Sequence, residues 1–160
     1  MDDCYVCSVL ADCSICGRIH QVEKWKGLSE AFVKNEFIAF EYYFYKCEDN
    51  RFITPDLKRM NEVLACDAYR KKYGLLTSEE IVSIRKQYGL SQNDFSALLG
   101  WGKVSIKRYE MDHVQSRAYD TVLRQVMDDP HLMFRLLENG KDSISSKAYQ
   151  KALRKIQALL

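Results

Sequence analysis

The chain has 160 residues, of which 47% are hydrophobic and 29% charged, with a formal net charge of +2. This length fits one ordinary domain or two small ones and excludes a large catalytic barrel. Its apolar content and its two prolines exclude general disorder. No run approaches the ~20 apolar residues that span a bilayer, and the start Met1-Asp2-Asp3 lacks the pattern of a secretory leader, so we expect a cytoplasmic protein.

Residues 21–46 contain many β-formers, interrupted at Gly27 and at 34–36, which predicts two or three antiparallel strands. The consecutive aromatic residues 42–45 point alternately to both faces of such a strand. One face is expected in the core, and the other is either an exposed partner-binding patch or covered by the protein itself.

A helix is predicted over residues 55–72. Thr54 is a suitable N-cap, and Pro55 suits the first helical position because the amide there has no helical partner. Apolar residues then recur at helical spacing, and Gly74 ends the helix. Cys66 lies within this helix and is expected to be an unreactive core thiol.

The pattern is helical from residue 75 onward. A capping box at Thr77–Glu80 predicts a helix that ends at Gly89, and Ser91 caps a short helix that closes at Gly100. Further helices are expected over 103–110, 116–127 and 130–137, followed by an amphipathic segment over 143–159. The predicted fold class is α+β, with domains at 1–72 and 75–138 and a C-terminal extension at 139–160.

The positive charge belongs to the helical half. Residues 1–74 hold 11 Lys/Arg and 12 Asp/Glu, whereas residues 75–160 hold 13 and 10. Lys103, Lys107 and Arg108 fall in one short helix that has no acid before Glu110. Two short helices joined at 100–102 have the spacing of a helix-turn-helix, whose second helix enters the major groove of DNA. Such cations can donate to guanine and neutralise phosphates.

The segment from Leu90 to Glu110, Leu-Ser-Gln-x-x-Phe-x-x-Leu-Leu-Gly-x-Gly-x-x-x-Ile-x-x-Tyr-Glu, resembles the Xre/Cro type of helix-turn-helix. Over about residues 13–137 the chain is also similar to the MqsA-like antitoxins, the YgiT-type zinc-finger family. The resemblance implies an N-terminal zinc ribbon and a C-terminal Xre-type DNA-binding domain. It further implies a dimeric repressor of its own operon, whose N-terminal half binds or accompanies a toxin. The similarity is carried by Asp67–Arg70, Gly74–Thr77, Glu80-Ile81, Tyr88–Gln92, Leu99–Gly102, Arg108–Glu110 and Gln115-Ser116.

Two groups of residues are assigned to a double-stranded DNA operator. Those expected to read bases are Lys103, Val104, Ser105, Lys107 and Arg108. Those expected to hold phosphates are Lys86, Ser91, Gln92, Asn93 and Arg117. Trp101 and Tyr109 are expected to pack beneath the reading helix, and Glu110 to bond to nearby backbone or an arginine.

Four of the six cysteines form two Cys-x-x-Cys pairs, and the other two stand alone. In a reducing compartment this spacing favours a metal over disulfides. The members are Cys4 with Cys7, Cys13 with Cys16, and the single Cys47 and Cys66.

In the family that the chain resembles, two such pairs hold one zinc ion. Cys13 and Cys16 match the first pair and Cys47 begins the second, but Asn50 stands where the fourth thiolate belongs. Three alternatives remain. Cys4 or Cys7 supplies the missing ligand, the four cysteines of the two pairs bind metal among themselves, or His20 joins Cys13, Cys16 and Cys47. A decayed site without metal is the contrary hypothesis.

Dimerisation is expected because one helix-turn-helix reads only a few base pairs and specificity usually needs two. The apolar surface of the fourth and fifth helices exceeds what a three-helix core needs. No phosphate-binding loop, catalytic triad or deaminase signature is present, so we expect no enzyme. The alternative function is an interaction module or mobile-element regulator, whose N-terminal half binds a partner protein without neutralising a toxin.

Overall fold

The computed structural model describes residues 2–160, which form two compact units, one ending at Tyr73 and the other spanning Gly74–Leu160. The fold is mixed, with a four-stranded antiparallel sheet followed by seven α-helices, and this confirms the predicted combination of sheet and helices. The strands, in sheet order, are β1 (Cys4–Cys13), β2 (Arg18–Val33), β3 (Glu36–Cys47) and β4 (Asn50–Phe52).

The sheet is larger than predicted because β1 covers the segment that holds the first Cys-x-x-Cys pair. The sequence suggested a turn at Gly27, but this residue lies buried within β2. A Cβ there would come within 3.4 Å of the Tyr42 ring and closer still to the Asp3 carboxylate. The β2–β3 turn is at Lys34-Asn35, where both residues have positive φ, as a two-residue hairpin turn of type I′ requires.

Helix α1 (Pro55–Tyr73) ends one residue later than predicted, and Gly74 follows it with φ +65. It packs on β3, with Leu57, Ala65 and Cys66 buried. The Asn61 side chain accepts from the Tyr43 N–H and donates to the Tyr43 carbonyl, both at 2.8 Å. This amide thereby satisfies backbone groups on the edge of β3 that β4 does not reach.

The second unit contains only helices. The predicted capping box between Thr77 and Glu80 is confirmed at the start of α2. The elements are α2 (Ser78–Gln87), α3 (Gln92–Leu98), α4 (Ser105–Tyr109), α5 (Arg117–Asp128), α6 (Pro130–Asn139), a 3-10 turn (Lys141–Ser143) and α7 (Ser146–Gln157). None of the helices over residues 2–160 is both long and apolar enough to traverse a bilayer.

One core unites all these helices, including the segment that the sequence analysis set apart as an extension. Ala152 and Ile156 of α7 are fully buried in the same cluster as residues of α2 to α6. Residues 139–160 therefore belong to the second compact unit. The other fully buried members are Ile81, Tyr88, Phe95, Ile106, Leu123, Val126, Met133 and Leu137.

Candidate metal centre and candidate nucleic-acid interface

Four side chains meet at one end of the sheet: Cys13, Cys16, His20 and Cys47. One ligand atom from each lies within 4.8 Å of all the others. The His20 Nε2 atom is 3.2 Å from the Sγ of Cys16 and 3.8 Å from the Sγ of Cys47. These four residues are close enough together to bind a metal ion.

The β1–β2 turn positions three of these ligands. Cys13 is the last residue of β1 and is fully buried, while Cys16 lies exposed in the turn. The Gly17 N–H donates to the Cys13 carbonyl at 2.8 Å, and Gly17 has φ +70, a conformation that glycine adopts without strain. His20 lies in β2 opposite Ala11, and its ring lies beside Cys16 in the turn.

The β3–β4 turn supplies the fourth ligand. Cys47 ends β3 and pairs with Asn50 across a two-residue turn, in which Glu48 has φ +55. Asn50, where the sequence comparison suggested a missing fourth thiolate, is exposed. The site thus joins two hairpin turns, and its ligands from the two turns are at least 27 residues apart along the chain.

Hydrogen bonds favour a thiolate at Cys13. Burial alone would raise the pKa of Cys13, but donors from the Cys16 backbone, the His20 ring and the Ile15 backbone outweigh it and lower the pKa to about 6. Burial and the neighbouring sulfur atoms of Cys13 and Cys16 raise the pKa of Cys47 to about 11. Three crowded thiols therefore resist full ionisation unless a cation lies among them.

The donor set fits a closed tetrahedral site. Zinc lies about 2.3 Å from thiolate sulfur and about 2.0 Å from imidazole nitrogen, which sets tetrahedral donors roughly 3.5–3.8 Å apart. The separations of 3.2 and 3.8 Å between His20 Nε2 and the two sulfur atoms lie close to this range. Three sulfur donors and one imidazole fill all four positions, as in structural rather than catalytic sites.

Cys4 and Cys7, assigned to the metal from the sequence, lie outside the ligand group. The residues between them and Cys13 form one extended strand instead of a chain reversal. At roughly 3.3 Å per residue, Cys7 is about 20 Å from Cys13 along the strand. Of the three alternatives, the geometry matches the one in which His20 completes the site.

A second feature is the pair of short helices α3 and α4. The Ser96 hydroxyl donates to the Gln92 carbonyl and accepts from the Ile106 N–H at 3.1 Å, which fixes the start of α4 against α3. The Trp101 N–H donates to the Ser96 carbonyl at 2.9 Å, and Gly100 has φ +73. Hydrogen bonds to Ser96 of α3 therefore fix both the turn and the start of α4.

Helix α4 is shorter than the predicted 103–110, because Lys103 and Val104 lie in the preceding turn. Ile106 is fully buried and faces the core. Lys103, Val104, Lys107 and Arg108 are exposed, and Ser105 is half-buried. No ion pair within residues 2–160 engages these three cations.

Glu110 is bonded to an arginine, as predicted. Arg85 of α2 donates to its two carboxylate oxygens at 2.7 and 3.2 Å, and to the Leu90 carbonyl at 3.0 Å. The Gln92 amide donates to the same carboxylate at 2.5 Å. Gln92, assigned to phosphate from the sequence, thus has an internal partner, and the network joins α2, α3 and the end of α4.

The other residues assigned to phosphate are at the surface. Lys86 and Asn93 are exposed, and Arg117 is exposed in the first turn of α5. The Ser91 hydroxyl accepts from the Asp94 N–H at 3.1 Å and so caps α3. The predicted packing of the aromatic residues is also found, since the rings of Trp101 and Tyr119 stack at 4.1 Å and Tyr109 meets both edge-on.

No protein-family model, curated protein or solved structure matches the chain, so what can be said of its function depends on the residues and geometry of these two sites.

Proposed function

We propose that this protein is a sequence-specific DNA-binding repressor that reads double-stranded DNA with α4 and the turn before it. One observation carries the proposal: four side chains of α4 and the turn before it are exposed, three of them cationic and without an ion-pair partner over residues 2–160, while Ile106 anchors the helix. A helix presented in this way can enter the major groove.

The support beneath α4 suits this role. Base recognition requires side chains held within a fraction of an ångström, and a rigid second layer provides that precision. Here the Arg85–Glu110 ion pair, 15% and 5% exposed, and the Ser96 hydroxyl fix both ends of α4. Because Glu110 is neutralised from within, its charge does not repel phosphate.

Individual roles follow from side-chain chemistry. Arg108 and Lys107 can donate to guanine O6 and N7, Val104 can contact a thymine methyl, and Lys103 and Ser105 can contact bases or the adjacent backbone. Lys86, Ser91, Asn93 and Arg117 are assigned to phosphates. The Gln92 amide already donates to Glu110, so a phosphate contact would have to share this amide or displace that bond.

The N-terminal unit is proposed to bind one Zn²⁺ through Cys13, Cys16, His20 and Cys47. Zinc prefers this mixture of thiolate and imidazole in tetrahedral geometry. Its role would be structural, since it would cross-link the two hairpin turns at one end of the sheet.

The resemblance to MqsA-like antitoxins extends the proposal to a cytoplasmic homodimer that represses its own operon and whose N-terminal half binds a toxin. A dimer would place two copies of α4 about 34–36 Å apart on one face of DNA. Oligomeric state is checked by sedimentation at micromolar concentration, with and without the operator. A species that stays monomeric in both conditions contradicts the dimer.

The decisive experiment is to mix the purified protein with fragmented genomic DNA, recover the bound fragments on filters, and sequence them. We expect enrichment of a short site, lying near the protein's own gene if it regulates itself. Recovery of fragments at random frequencies would contradict sequence-specific binding.

A second candidate is the interaction module without DNA reading, favoured by a different observation. At the tip of the β2–β3 hairpin, Phe32 and Phe37 are 63% and 70% exposed and their rings lie 5.2 Å apart. Tyr42, Tyr43 and Tyr45, by contrast, are half-buried and Phe44 is buried, so the predicted tyrosine patch is mostly covered. The products of adjacent genes, tested for binding to wild type and Phe32→Ser, separate this candidate from the first.

A further inference from the structure

Helix α7 carries four cations and no acidic residue: Lys147, Lys151, Arg154 and Lys155. All four are exposed, and none forms an ion pair with another residue from 2 to 160. Three of them follow one another at four-residue intervals, which places them about 6 Å apart along one side of a helix. The helix therefore presents a continuous positive strip, here called the α7 strip: Lys147, Lys151 and Lys155.

The orientation of the α7 strip is fixed by the opposite side of the helix. Ala152 and Ile156 are fully buried in the core, and Tyr149 donates a 2.5 Å hydrogen bond to Glu138 of α6. The apolar side of α7 is thus packed in the core. This packing fixes the rotation of the helix about its axis, so the cations stay on its outer side.

That surface adjoins the first of the two paired helices. A Cβ built on Gly89 would lie 3.2 Å from Lys155 Cγ and 3.3 Å from Lys151 Cε. Gly89 lies in the link between α2 and α3, two residues before Ser91, the N-cap of α3. Lys86, in the last turn of α2, is three residues before Gly89. The α7 strip therefore borders the same link as residues already assigned to phosphate.

We propose that α7 is a second DNA-contacting element, in which Lys151 and Lys155 bind backbone phosphates beside the segment that α4 reads. This inference rests on the proposed function and adds to it a contact surface outside α2–α5. Lysine binds phosphate as a point charge, so these contacts strengthen binding without reading sequence.

An anionic lipid surface is the other common ligand of a basic helix. Interfacial helices insert an apolar face between the headgroups. In α7 that face is occupied by the protein core, whereas the cations lie next to the α2–α3 link. The geometry therefore favours nucleic acid.

The test compares Lys151→Gln/Lys155→Gln with a control of equal charge, Lys58→Gln/Lys71→Gln, whose residues are exposed on α1. Binding to a 30-base-pair duplex of random sequence is measured by fluorescence anisotropy between 50 and 200 mM salt. The slope of log K against log[salt] is negative, and each lost phosphate contact reduces its magnitude by about 0.9. We therefore expect the magnitude to decrease by about 2 for the α7 variant and not to change for the control.

Four further results complete the test. Lys151→Arg/Lys155→Arg should restore the slope, which a folding defect in the glutamine variant would not explain. An unchanged slope in the glutamine variant, with wild-type binding intact, overturns this inference and leaves the proposed function standing, whereas no binding by wild type overturns both. Binding of wild type to phosphatidylserine vesicles, lost in the glutamine variant while its DNA slope stays unchanged, would assign the α7 strip to lipid instead.

Discussion

The hydroxyl group of Tyr88 donates a 2.5 Å hydrogen bond to the backbone carbonyl of Val126, and both residues are fully buried. In a continuous helix that carbonyl would accept from the amide of residue 130. Residue 130 is Pro130, which has no N–H and begins α6. Tyr88 thus replaces the donor that proline removes and joins α2 to the end of α5.

Replacing Tyr88 by phenylalanine should lower the free energy of unfolding by about 1–3 kcal/mol, because it leaves a buried carbonyl without a donor. Urea denaturation measures this change. Tyr149→Phe is the matched control, since its hydroxyl bonds to the half-buried Glu138 carboxylate, which water can reach. Equal losses in the two variants would show that the Tyr88–Val126 bond has no special role.

Stability should fall in acid partly through Asp120. Burial would raise the pKa of this carboxyl, but hydrogen bonds from Arg124, the Leu76 N–H and Gln115 outweigh it and lower the pKa below its usual range. A group with a depressed folded pKa stabilises the fold fully above its unfolded pKa, about 3.9, and loses that effect as the pH falls through the folded value.

The corresponding test follows urea midpoints of wild type and Asp120→Asn from pH 7 to pH 2.5. We expect the variant to be less stable at pH 7 and the difference to shrink as wild type becomes protonated. Asp142→Asn, at an exposed position in the 3-10 turn, should keep the wild-type profile. A gap between wild type and Asp120→Asn that stays constant across this range would contradict the assignment.

Base reading and phosphate binding should separate by mutation. Arg108→Ala should weaken binding to the enriched site by about 1–3 kcal/mol and relax sequence preference, because it removes a donor to guanine. Lys86→Ala should weaken all sequences alike and reduce the salt slope by about 1. Titrations on the enriched site and on random DNA measure both effects, and an equal loss on the two DNAs for Arg108→Ala would remove Arg108 from the reading set.

The metal centre predicts which cysteines matter. Native mass spectrometry of protein prepared with zinc should find one ion per chain, and Cys47→Ser or His20→Ala should abolish tight binding. Cys4→Ser/Cys7→Ser should retain the ion, since β1 holds both residues away from the ligand group. Absence of zinc from wild type, or its loss only in the Cys4/Cys7 variant, would contradict the site.

The helices were predictable because their ends carry local signals. Thr77 with Glu80, Ser91 and Ser116 each precede a helix, and Gly74 and Gly89 follow one, so residues a few positions apart define each boundary. Lys103 and Val104 were the exception, because the Ser105 N–H bonds back to the Gly102 carbonyl and delays the start of α4.

The metal ligands were less predictable because they depend on strand register. A Cys-x-x-Cys pair looks the same in a turn and in a strand, so Cys4 and Cys7 carried the same signal as Cys13 and Cys16. His20 meets Cys47 only because β2 pairs with β1 on one side and β3 on the other, a long-range arrangement that no local spacing encodes. Likewise, the apolar stripe of α7 was visible, but not that it completes the core.

The burial of Ala152 and Ile156 bears on how this gene can change length. A premature stop codon near residue 139 would remove α7 and uncover the part of the shared core in which Ala152 and Ile156 are buried. Such a truncation would therefore destabilise the whole helical unit instead of trimming a dispensable tail, because α7 (Ser146–Gln157) contributes to its only core over the described residues.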